Sequence, residues 1–194
     1  MSDADAPQAP IINITGERVA LGPLRRDLLS LYQRWINDWD VIRTLGQPLR
    51  PMTWEAEEAW YDGVGRGGGV QFQIYERGTL RPIGTTGLHD IDHLHRTAVF
   101  GILIGEKDCW GKGYGTETAR LMLDYGFTAL GLHNIMLQVF SYNERGIRAY
   151  HRAGYREIGR RRQAHRLHGE ARDIILMDCL ASEFDSPVLK QLLS

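Results

Sequence analysis

Three glycines at alternate positions, Gly111, Gly113 and Gly115, form the segment whose residue types point most directly to chemistry. Glycine tolerates the left-handed backbone conformations that let successive N–H groups point to one side of a tight turn. A helical pattern follows from Thr116, and the positive end of a helix adds to the attraction for an anion. The segment therefore predicts an anion-binding loop. Its members are Trp110, Gly111, Lys112, Gly113, Tyr114, Gly115 and Thr116.

The spacing of this loop excludes the phosphate loop of P-loop nucleotide triphosphatases. That motif has four residues between its first glycine and the Gly-Lys pair, and a Ser or Thr after the lysine. Here five residues separate Gly105 from Gly111, and Gly113 follows Lys112. A different fold must therefore present the loop.

Strand patterns lie on both sides of the loop. Apolar alternation and turn residues predict antiparallel strands before it, and a further strand and a last strand pair after it. The predicted strands are Ile11–Leu21, Val70–Glu76, Ile83–Leu88, Thr97–Ile104, Ile135–Phe140, Tyr155–Ile158 and Asp173–Met177, the last two joined by a polar hairpin at Arg160–Glu170.

Helical patterns separate these strands. Apolar residues recur every three or four positions from Leu24 to Trp39, which predicts one long amphipathic helix. Thr53 is a suitable N-cap for a second helix, and Gly131 and Gly154 are suitable C-terminal residues for two more. These later helices are predicted over Thr116–Leu130 and Ile147–Ala153. The order of elements predicts an α+β (mixed α/β) fold with a central, mostly antiparallel sheet flanked by helices.

Length and composition set the outer limits. The chain has 194 residues, 43% of them hydrophobic, which suits one folded domain. We expect a disordered tail over 1–10, the domain over 11–182 and a C-terminal tail over 183–194. A formal net charge of −1 argues against a nucleic-acid binder. Two distant cysteines, Cys109 and Cys179, and the lack of a signal or membrane-spanning pattern favour the cytoplasm and no membrane partner.

Two longer segments carry a family resemblance. The stretches Phe100–Glu117, Asn143–Tyr150 and Ala153–Tyr155 resemble, in order and spacing, the GNAT superfamily of acetyl-CoA-dependent N-acetyltransferases. Within it the chain looks most like the ribosomal-protein-alanine and spermidine acetyltransferase branch. The family's phosphate signature is matched at Gly113 and Gly115, with Trp110 where Gln or Arg usually stands. The resemblance covers roughly residues 12 to 180.

The resemblance implies a fold and a cofactor site. The strand before the signature and the strand after its helix should run parallel and splay apart, which leaves backbone groups free to pair with the pantetheine arm of acetyl-CoA. The cofactor-binding residues it implies are Ile102, Leu103, Ile104, Trp110, Gly111, Lys112, Gly113, Tyr114, Gly115, Thr116, Asn143, Arg148 and Tyr150.

The resemblance also implies catalytic roles. Tyr150 matches the family's tyrosine beside the thioester, which protonates the leaving thiolate as general acid. Many relatives carry a Glu before the Phe-Gly pair as base, but Val99 stands there. His89, Asp90 and Glu144 are the nearest candidate bases, and a water relay is the alternative. Trp35, Trp39 and His89 are the candidate substrate residues, because this region walls the acceptor site in related enzymes.

Other patterns have simpler explanations. His89, His93 and His95 lie in a predicted loop without the helical spacing of a metal site, so we expect no metal. The arginines Arg160–Arg162 lie beside acidic residues in a polar hairpin and are interpreted as solvated, which leaves no nucleic-acid partner.

The resulting hypothesis is an acetyl-CoA-dependent N-acetyltransferase that acts on a primary amine by direct attack on the thioester. A protein N-terminus or a small amine ranks first as acceptor. A polyamine or an aminoglycoside-type antibiotic is the alternative, because Arg34, Arg43 and Arg50 dilute the acids near the first two helices. A non-catalytic CoA-binding sensor is the rival from another class. A homodimer stays open as a further partner.

Overall fold

The computed structural model describes residues 9–46, 49–64, 68–167 and 169–192, so residues 1–8 of the predicted N-terminal tail lie outside the described residues. Within these ranges eight strands form one sheet in the order β1-β2-β3-β4-β5-β6-β8-β7. The strands are β1 Ile14–Thr15, β2 Val19–Gly22, β3 Val70–Glu76, β4 Pro82–Asp92, β5 Thr97–Ile104, β6 Asn134–Phe140, β7 Arg156–Leu167 and β8 Glu170–Leu180.

All paired strands are antiparallel except β5 and β6, which are parallel. The parallel ladder is short, joining Thr97–Val99 to Asn134–Met136. Beyond Val99 the two strands separate, while β6 continues to pair with β8 as far as Phe140. This arrangement confirms the predicted mixed, mostly antiparallel sheet with one splayed parallel pair.

The helices flank this sheet. They are α1 Leu29–Asn37, α2 Trp39–Ile42, α3 Trp54–Gly63, α4 Tyr114–Asp124, which continues into a π-helical turn at Tyr125–Ala129, α5 Glu144–Ala153 and α6 Leu189–Leu192. Helix α4 buries Ala119, Leu121, Met122 and Leu123 in the main core against the strands. A smaller cluster on α1, formed by Leu29, Tyr32 and Trp35, packs against Leu103 of β5. Among the described residues, no helix is both long and apolar enough to cross a membrane.

The single long helix predicted from Leu24 to Trp39 is wrong in its extent. The helix begins at Leu29 and breaks at Asp38, whose backbone is extended and whose side chain accepts a hydrogen bond from the N–H of Asp40. Lys107 holds the break in place, because its ammonium lies 2.7 Å from Asp38 and 3.0 Å from Asp40. Local capping by aspartate therefore overrides the apolar periodicity.

The polar hairpin predicted at Arg160–Glu170 is also different in the structure. Strand β7 continues through it to Leu167 and strand β8 begins at Glu170, so little of the predicted loop is left, and His168 lies outside the described residues. Most side chains of β7 are exposed. A ribbon that projects into solvent needs no apolar alternation, which is why the strand pattern was missed.

Part of the predicted C-terminal tail over 183–194 packs on the domain around Val188 and Leu189, and Leu192 is the last residue that the structure describes. Buried Asp124 on α4 accepts hydrogen bonds from the N–H groups of Val188 and Leu189, both at 2.9 Å. Leu189 is only 4% exposed. A buried carboxylate that collects several donors fixes the segment, and the sequence alone does not reveal that partner.

Candidate active site

The separation of β5 from β6 opens a cavity of about 300 Å³ that we call the β5–β6 cleft. Its walls come from the part of β5 that does not pair with β6, the glycine loop, the first turn of α4, helix α5 and the segment after α2. An edge strand presents backbone groups that seek a partner, so an extended ligand can pair with it. The predicted cofactor residues in its lining are Ile102, Leu103, Ile104, Trp110, Gly111, Gly113, Tyr114, Gly115, Thr116, Asn143, Arg148 and Tyr150.

The glycine loop presents the start of α4 to this cleft. Gly111 and Gly113 have φ values of +77° and +88°, in the left-handed region that side chains other than glycine rarely adopt. The helix begins at Tyr114, two residues earlier than the sequence predicted, so Gly115 lies in its first turn. The first N–H groups of a helix have no acceptor within the helix. The loop and the helix start therefore offer donors and positive dipole to an anion.

Trp110 links the loop to the strand. Its indole N–H donates to the carbonyl of Ile104 at 2.9 Å, and the guanidinium carbon of Arg145 lies 4.0 Å from the ring centroid. One backbone acceptor on the expected pantetheine edge is thus already satisfied by a side chain. Trp110 acts as a brace between β5 and the loop, a role that Gln or Arg at the same position would perform differently.

Helix α5 brings Asn143 and Tyr150 to the opposite wall. Asn143 caps the helix, because its side-chain oxygen accepts the N–H of Gly146 at 3.0 Å. The ring of Tyr150 packs edge-on against Phe100 and Tyr155, with centroids 6.2 Å and 6.1 Å away. Burial raises the pKa of Tyr150 to about 12, so its hydroxyl keeps its proton at neutral pH. The hydroxyl therefore carries the proton that a general acid gives, and burial makes it a weaker acid than a free tyrosine.

Lys112 points away from the cleft into a basin that we call the basic basin. It has a volume of about 660 Å³ and adjoins the cleft through Gly113, Thr116 and Arg152. Its cationic side chains are Arg18, Arg77, Lys112, Arg120 and Arg152. Glu117 fixes one wall, because its carboxylate accepts the N–H of Arg18 at 2.8 Å. The basin concentrates positive charge beside the loop, which suits a second phosphate.

A second cavity, of about 210 Å³, lies between α1, α3 and the sheet, and we call it the α1–α3 cavity. It shares Leu45, Ile102 and Leu103 with the β5–β6 cleft, so the two cavities meet at the middle of β5. Strand β5 alternates its side chains between the two sides of the sheet. Leu103 accordingly packs on the α1 cluster, and Ile102 and Ile104 pack on the main core.

The structure brings only some of the predicted acceptor residues to this cavity. Trp35 and His89 line it, and His89 pairs in register with Val99, the position of the absent Glu. Trp39 lies past the helix break, is 53% exposed and is not part of the lining. Asp90 is also exposed and outside the lining, with a φ of +50° at an irregular point of β4. Glu144 is exposed and pairs with Arg148 at 3.2 Å.

Glu57 lines this cavity, although the sequence interpretation only counted it among the acids near the first two helices and gave it no role of its own. It lies in the first turn of α3, where acids usually face solvent, but it is only 5% exposed and lines the cavity. Burial raises the pKa of its carboxyl group. The signal was its spacing, since Trp60 and Tyr61 stand three and four residues further on and so share its helical face.

Comparisons with known proteins agree with this geometry. The profile of the Acetyltransferase (GNAT) domain matches residues 18–156. The chain is 37% identical to spermidine N(1)-acetyltransferase of Escherichia coli K12 over 94 residues, which is 48% of this chain and 50% of that protein. It is 33% identical to the Vibrio cholerae spermidine N(1)-acetyltransferase over 102 residues, 53% of this chain and 58% of that protein. The matches thus span only about half the length of these curated relatives.

A solved structure extends the likeness over more of the chain. The crystal structure of spermidine N-acetyltransferase from Vibrio cholerae in complex with CoA and spermine has a TM-score of 0.79 and 25% identity, and the match covers 87% of this chain and 98% of that one. A putative acetyltransferase matches with a TM-score of 0.71 and 28% identity, covering 92% of this chain and 89% of that one. The fold of the described residues is thus the fold of these acetyltransferases.

Proposed function

The chain belongs to the GNAT acetyltransferase family, and from that premise we propose that it transfers an acetyl group from acetyl-CoA to a primary amine. The observation that carries the proposal is the meeting of two cavities at Ile102 and Leu103. One cavity has the backbone edge and glycine loop that suit the cofactor. The other has the aromatic and acidic walls that suit an amine. Direct transfer requires such a junction, because both reactants must reach one point.

The β5–β6 cleft fits acetyl-CoA. Its pantetheine arm would pair with the unpaired edge of β5, and its pyrophosphate would lie against the N–H groups at the start of α4. A Cβ atom built on Gly111 meets nothing within 4 Å, and one on Gly113 meets only Arg18 at 3.8 Å. The space above the loop is therefore open to a ligand. The basic basin would take a further phosphate of the cofactor.

The reaction needs one proton removed and one supplied. The neutral amine attacks the thioester carbonyl, a C–N bond forms, and the C–S bond breaks with its electron pair on sulfur. Tyr150 gives its hydroxyl proton to the departing thiolate, a role that its position in the cleft supports. His89 stays a candidate base, since it lines the α1–α3 cavity. Asp90 and Glu144 face solvent and are not proposed for that role.

A polyamine acceptor is the second candidate, because the relatives above are spermidine acetyltransferases. The structure of this chain gives it less support. Asp38 and Asp40 pair with Lys107, and Glu58 pairs with Arg26 at 3.0 Å. These three acids are therefore already partnered by cations of the protein, whereas Glu55 and Glu57 make no ion pair with a residue that the structure describes, and of these two only Glu57 lines the α1–α3 cavity.

Thiol release from acetyl-CoA in the presence of an amine panel tests the proposal. The panel contains aliphatic and aromatic monoamines, peptides with free N-termini, aminoglycosides and spermidine. We expect thiol release that depends on at least one amine and exceeds hydrolysis without amine. Acetyl-CoA binding without release for any of these amines would contradict transfer and favour the sensor hypothesis.

A further inference from the structure

We propose that Glu57 binds the ammonium group of the acceptor and then takes its proton, and that the acceptor is a monoamine with an apolar, preferably aromatic, stem. The inference rests on the proposed function, which it deepens by naming the base and the acceptor class. It follows from four observations on the α1–α3 cavity: the state of Glu57, the cavity walls, its size, and the pairing of the surrounding acids.

Glu57 is a buried acid whose carboxyl group has no partner among the residues that the structure describes. Its side chain makes no hydrogen bond or ion pair with any residue that the structure describes, although it is 95% removed from solvent and lines the cavity. A buried carboxylate without a partner is unfavourable unless a ligand supplies the missing donor or charge. An ammonium group supplies both, with three N–H donors and a positive charge.

The walls around Glu57 are aromatic and apolar. Tyr32, Trp35 and Trp60 line the cavity, and the rings of Tyr32 and Trp60 meet edge-on with centroids 6.0 Å apart. Ile36, Leu45 and Met52 complete the apolar part of the lining. Aromatic faces attract cations and stack on other aromatic rings. These walls suit the stem of an amine better than a chain that carries further charges.

Two neighbouring strands contribute glycine to the floor of the cavity, where other atoms approach the backbone closely. Gly87 and Gly101 are opposite each other in the β4–β5 register, and both line the cavity. A Cβ atom on Gly101 would lie 3.1 Å from the ring of His89, so a larger residue would displace that ring into the space. A volume of about 210 Å³ is large enough for a small amine with one ring.

The charged groups around the cavity favour an acceptor with one ammonium group over a polyamine. A polyamine carries several ammonium groups and needs several unpaired acids. Among the described residues that line the cavity, Glu57 is the one acid, and His89 and Tyr32 are the other ionisable groups. Asp62 and Glu58 on the same helix pair with Arg26, and Glu106 pairs with Arg34 and the indole of Trp35. One ammonium can be neutralised here.

Glu57 is also placed to act as the general base that removes a proton from the ammonium group. A monoamine has a single nitrogen, so the group that holds its ammonium is the nearest acceptor for the proton that must leave before attack. That proton passes from nitrogen to a carboxylate oxygen of Glu57, which leaves the nitrogen lone pair free for attack. The C–N bond then forms, the C–S bond breaks, and the thiolate takes the Tyr150 proton. The second proton that nitrogen loses returns to the Tyr150 oxygen through solvent, so that the amide, the thiol and Tyr150 all end neutral. Burial raises the pKa of this carboxyl group, which makes it a stronger base than an exposed glutamate.

Calorimetry on the full chain saturated with CoA tests the binding role without turnover. The probes are 2-phenylethylamine, its neutral analogue 2-phenylethanol, and spermidine. The variants are Glu57→Gln, which keeps the shape and removes the charge, and Glu58→Gln as matched control one residue away. We expect wild-type protein to bind 2-phenylethylamine at least about tenfold more tightly than either other probe. Glu57→Gln should weaken that binding about tenfold or more, and Glu58→Gln by less than about twofold.

Several outcomes would overturn the inference: no binding of the amine by wild-type protein, equal binding of the amine and the alcohol, a preference for spermidine, or unchanged binding in Glu57→Gln. Failure of Glu57→Gln to fold would also overturn it, since an unpartnered carboxylate should not be needed for folding. The base role adds a rate criterion. Thiol release at saturating amine should fall by a factor of about 10²–10⁴ in Glu57→Gln. Amine binding without any thiol release in wild-type protein would refute acetyl transfer and leave the binding site standing.

Discussion

The β5–β6 cleft and the α1–α3 cavity meet at β5 but are built in different ways. The cleft is lined mainly by two continuous segments, one from the end of β5 through the glycine loop to the start of α4 and the other along α5, with a few residues from α2 and the segment after it. The cavity is assembled from side chains on α1, α3, β4 and β5, far apart in the sequence. A site that depends on backbone geometry can therefore be recognised from a local sequence motif. A site formed by side chains from distant segments cannot be recognised in that way.

The largest effect is expected in the cleft, from loss of one proton donor. Tyr150→Phe removes the hydroxyl and keeps the ring that packs on Phe100 and Tyr155. Turnover should fall by a factor of about 10²–10⁴, while acetyl-CoA binding changes little. Steady-state thiol release together with cofactor-dependent thermal shift measures both. An unaltered rate would mean that Tyr150 is structural and that water protonates the thiolate.

Gly113→Val tests whether the cleft binds through its backbone. Acetyl-CoA at about 100 times its Kd should stabilise wild-type protein by about 2.7 kcal/mol. Valine at a φ of +88° is strained, and its side chain would occupy the space of the pyrophosphate, so most of that stabilisation should vanish.

Gly131→Val is the matched control for this substitution. Its φ is +65° and a Cβ there meets nothing within 4 Å, yet it lies outside both cavities. The control should melt at a lower temperature than wild-type protein but keep the acetyl-CoA shift. Equal loss of the shift in both variants would contradict a specific role for the loop.

Trp110→Phe tests the brace between the loop and β5. The change leaves the carbonyl of Ile104 without its indole donor and weakens the contact with Arg145. We expect a loss of about 1 kcal/mol in the free energy of unfolding, measured by denaturant titration without cofactor. If the pantetheine arm of acetyl-CoA gives the Ile104 carbonyl a new donor, the cofactor should reduce the difference in free energy of unfolding between wild-type protein and Trp110→Phe. A larger difference with cofactor would count against pairing along this edge.

The smallest effect is expected on the stability of the fold, where Glu57→Gln in the cavity should stabilise the protein at neutral pH. Because burial raises the pKa of Glu57 above its ordinary value of 4.5, the folded protein binds this proton more tightly than the unfolded chain does. The stability associated with the neutral carboxyl group is therefore present below that ordinary value and is lost as the pH rises through the raised pKa. Glu57→Gln should escape this loss. At neutral pH its free energy of unfolding should exceed that of wild-type protein by about 1 kcal/mol or less, and its melting temperature should be correspondingly higher. In acid the two melting temperatures should become equal.

A melting temperature of Glu57→Gln well below that of wild-type protein at neutral pH would show that the carboxylate stabilises the fold. Tyr32 and His89 are the other ionisable groups described in the lining. Both are present in each protein, so the difference between the two pH profiles isolates Glu57.

What the sequence could predict follows the same division. Gly113, Asn143 and Tyr150, which the resemblance implied as cofactor residues, line the cleft because fixed spacing along a chain segment encodes the backbone turn, the cap and the helical face. Trp39 was expected at the acceptor site from the resemblance and Asp90 as a candidate base, and the break at Asp38 and the irregular point in β4 leave both outside the lining of the α1–α3 cavity. Glu57 was given no role of its own because burial of an acid depends on what packs over it, here α1 and the sheet.

The docking of the C-terminal segment is a second case of a long-range partner. Asp124 is fully buried, and its acceptor oxygens bind Thr128 on its own helical turn as well as Ser186 and the N–H groups beyond it. The sequence pattern around Asp124 does not indicate that it binds the C-terminal segment, and the pattern of that segment does not indicate that it binds Asp124. Local patterns therefore predicted the elements of the fold, and side-chain pairing between distant segments decided where they end.

The most direct test of the account is a grid of initial rates of thiol release, with acetyl-CoA and 2-phenylethylamine varied together. Two cavities with separate roles predict that Gly113→Val raises the KM for acetyl-CoA about tenfold or more and leaves the KM for the amine within about twofold. Glu57→Gln should do the reverse. Parallel shifts of both KM values in both variants, or no release that depends on the amine, would contradict a cofactor cleft and an acceptor cavity that meet at β5.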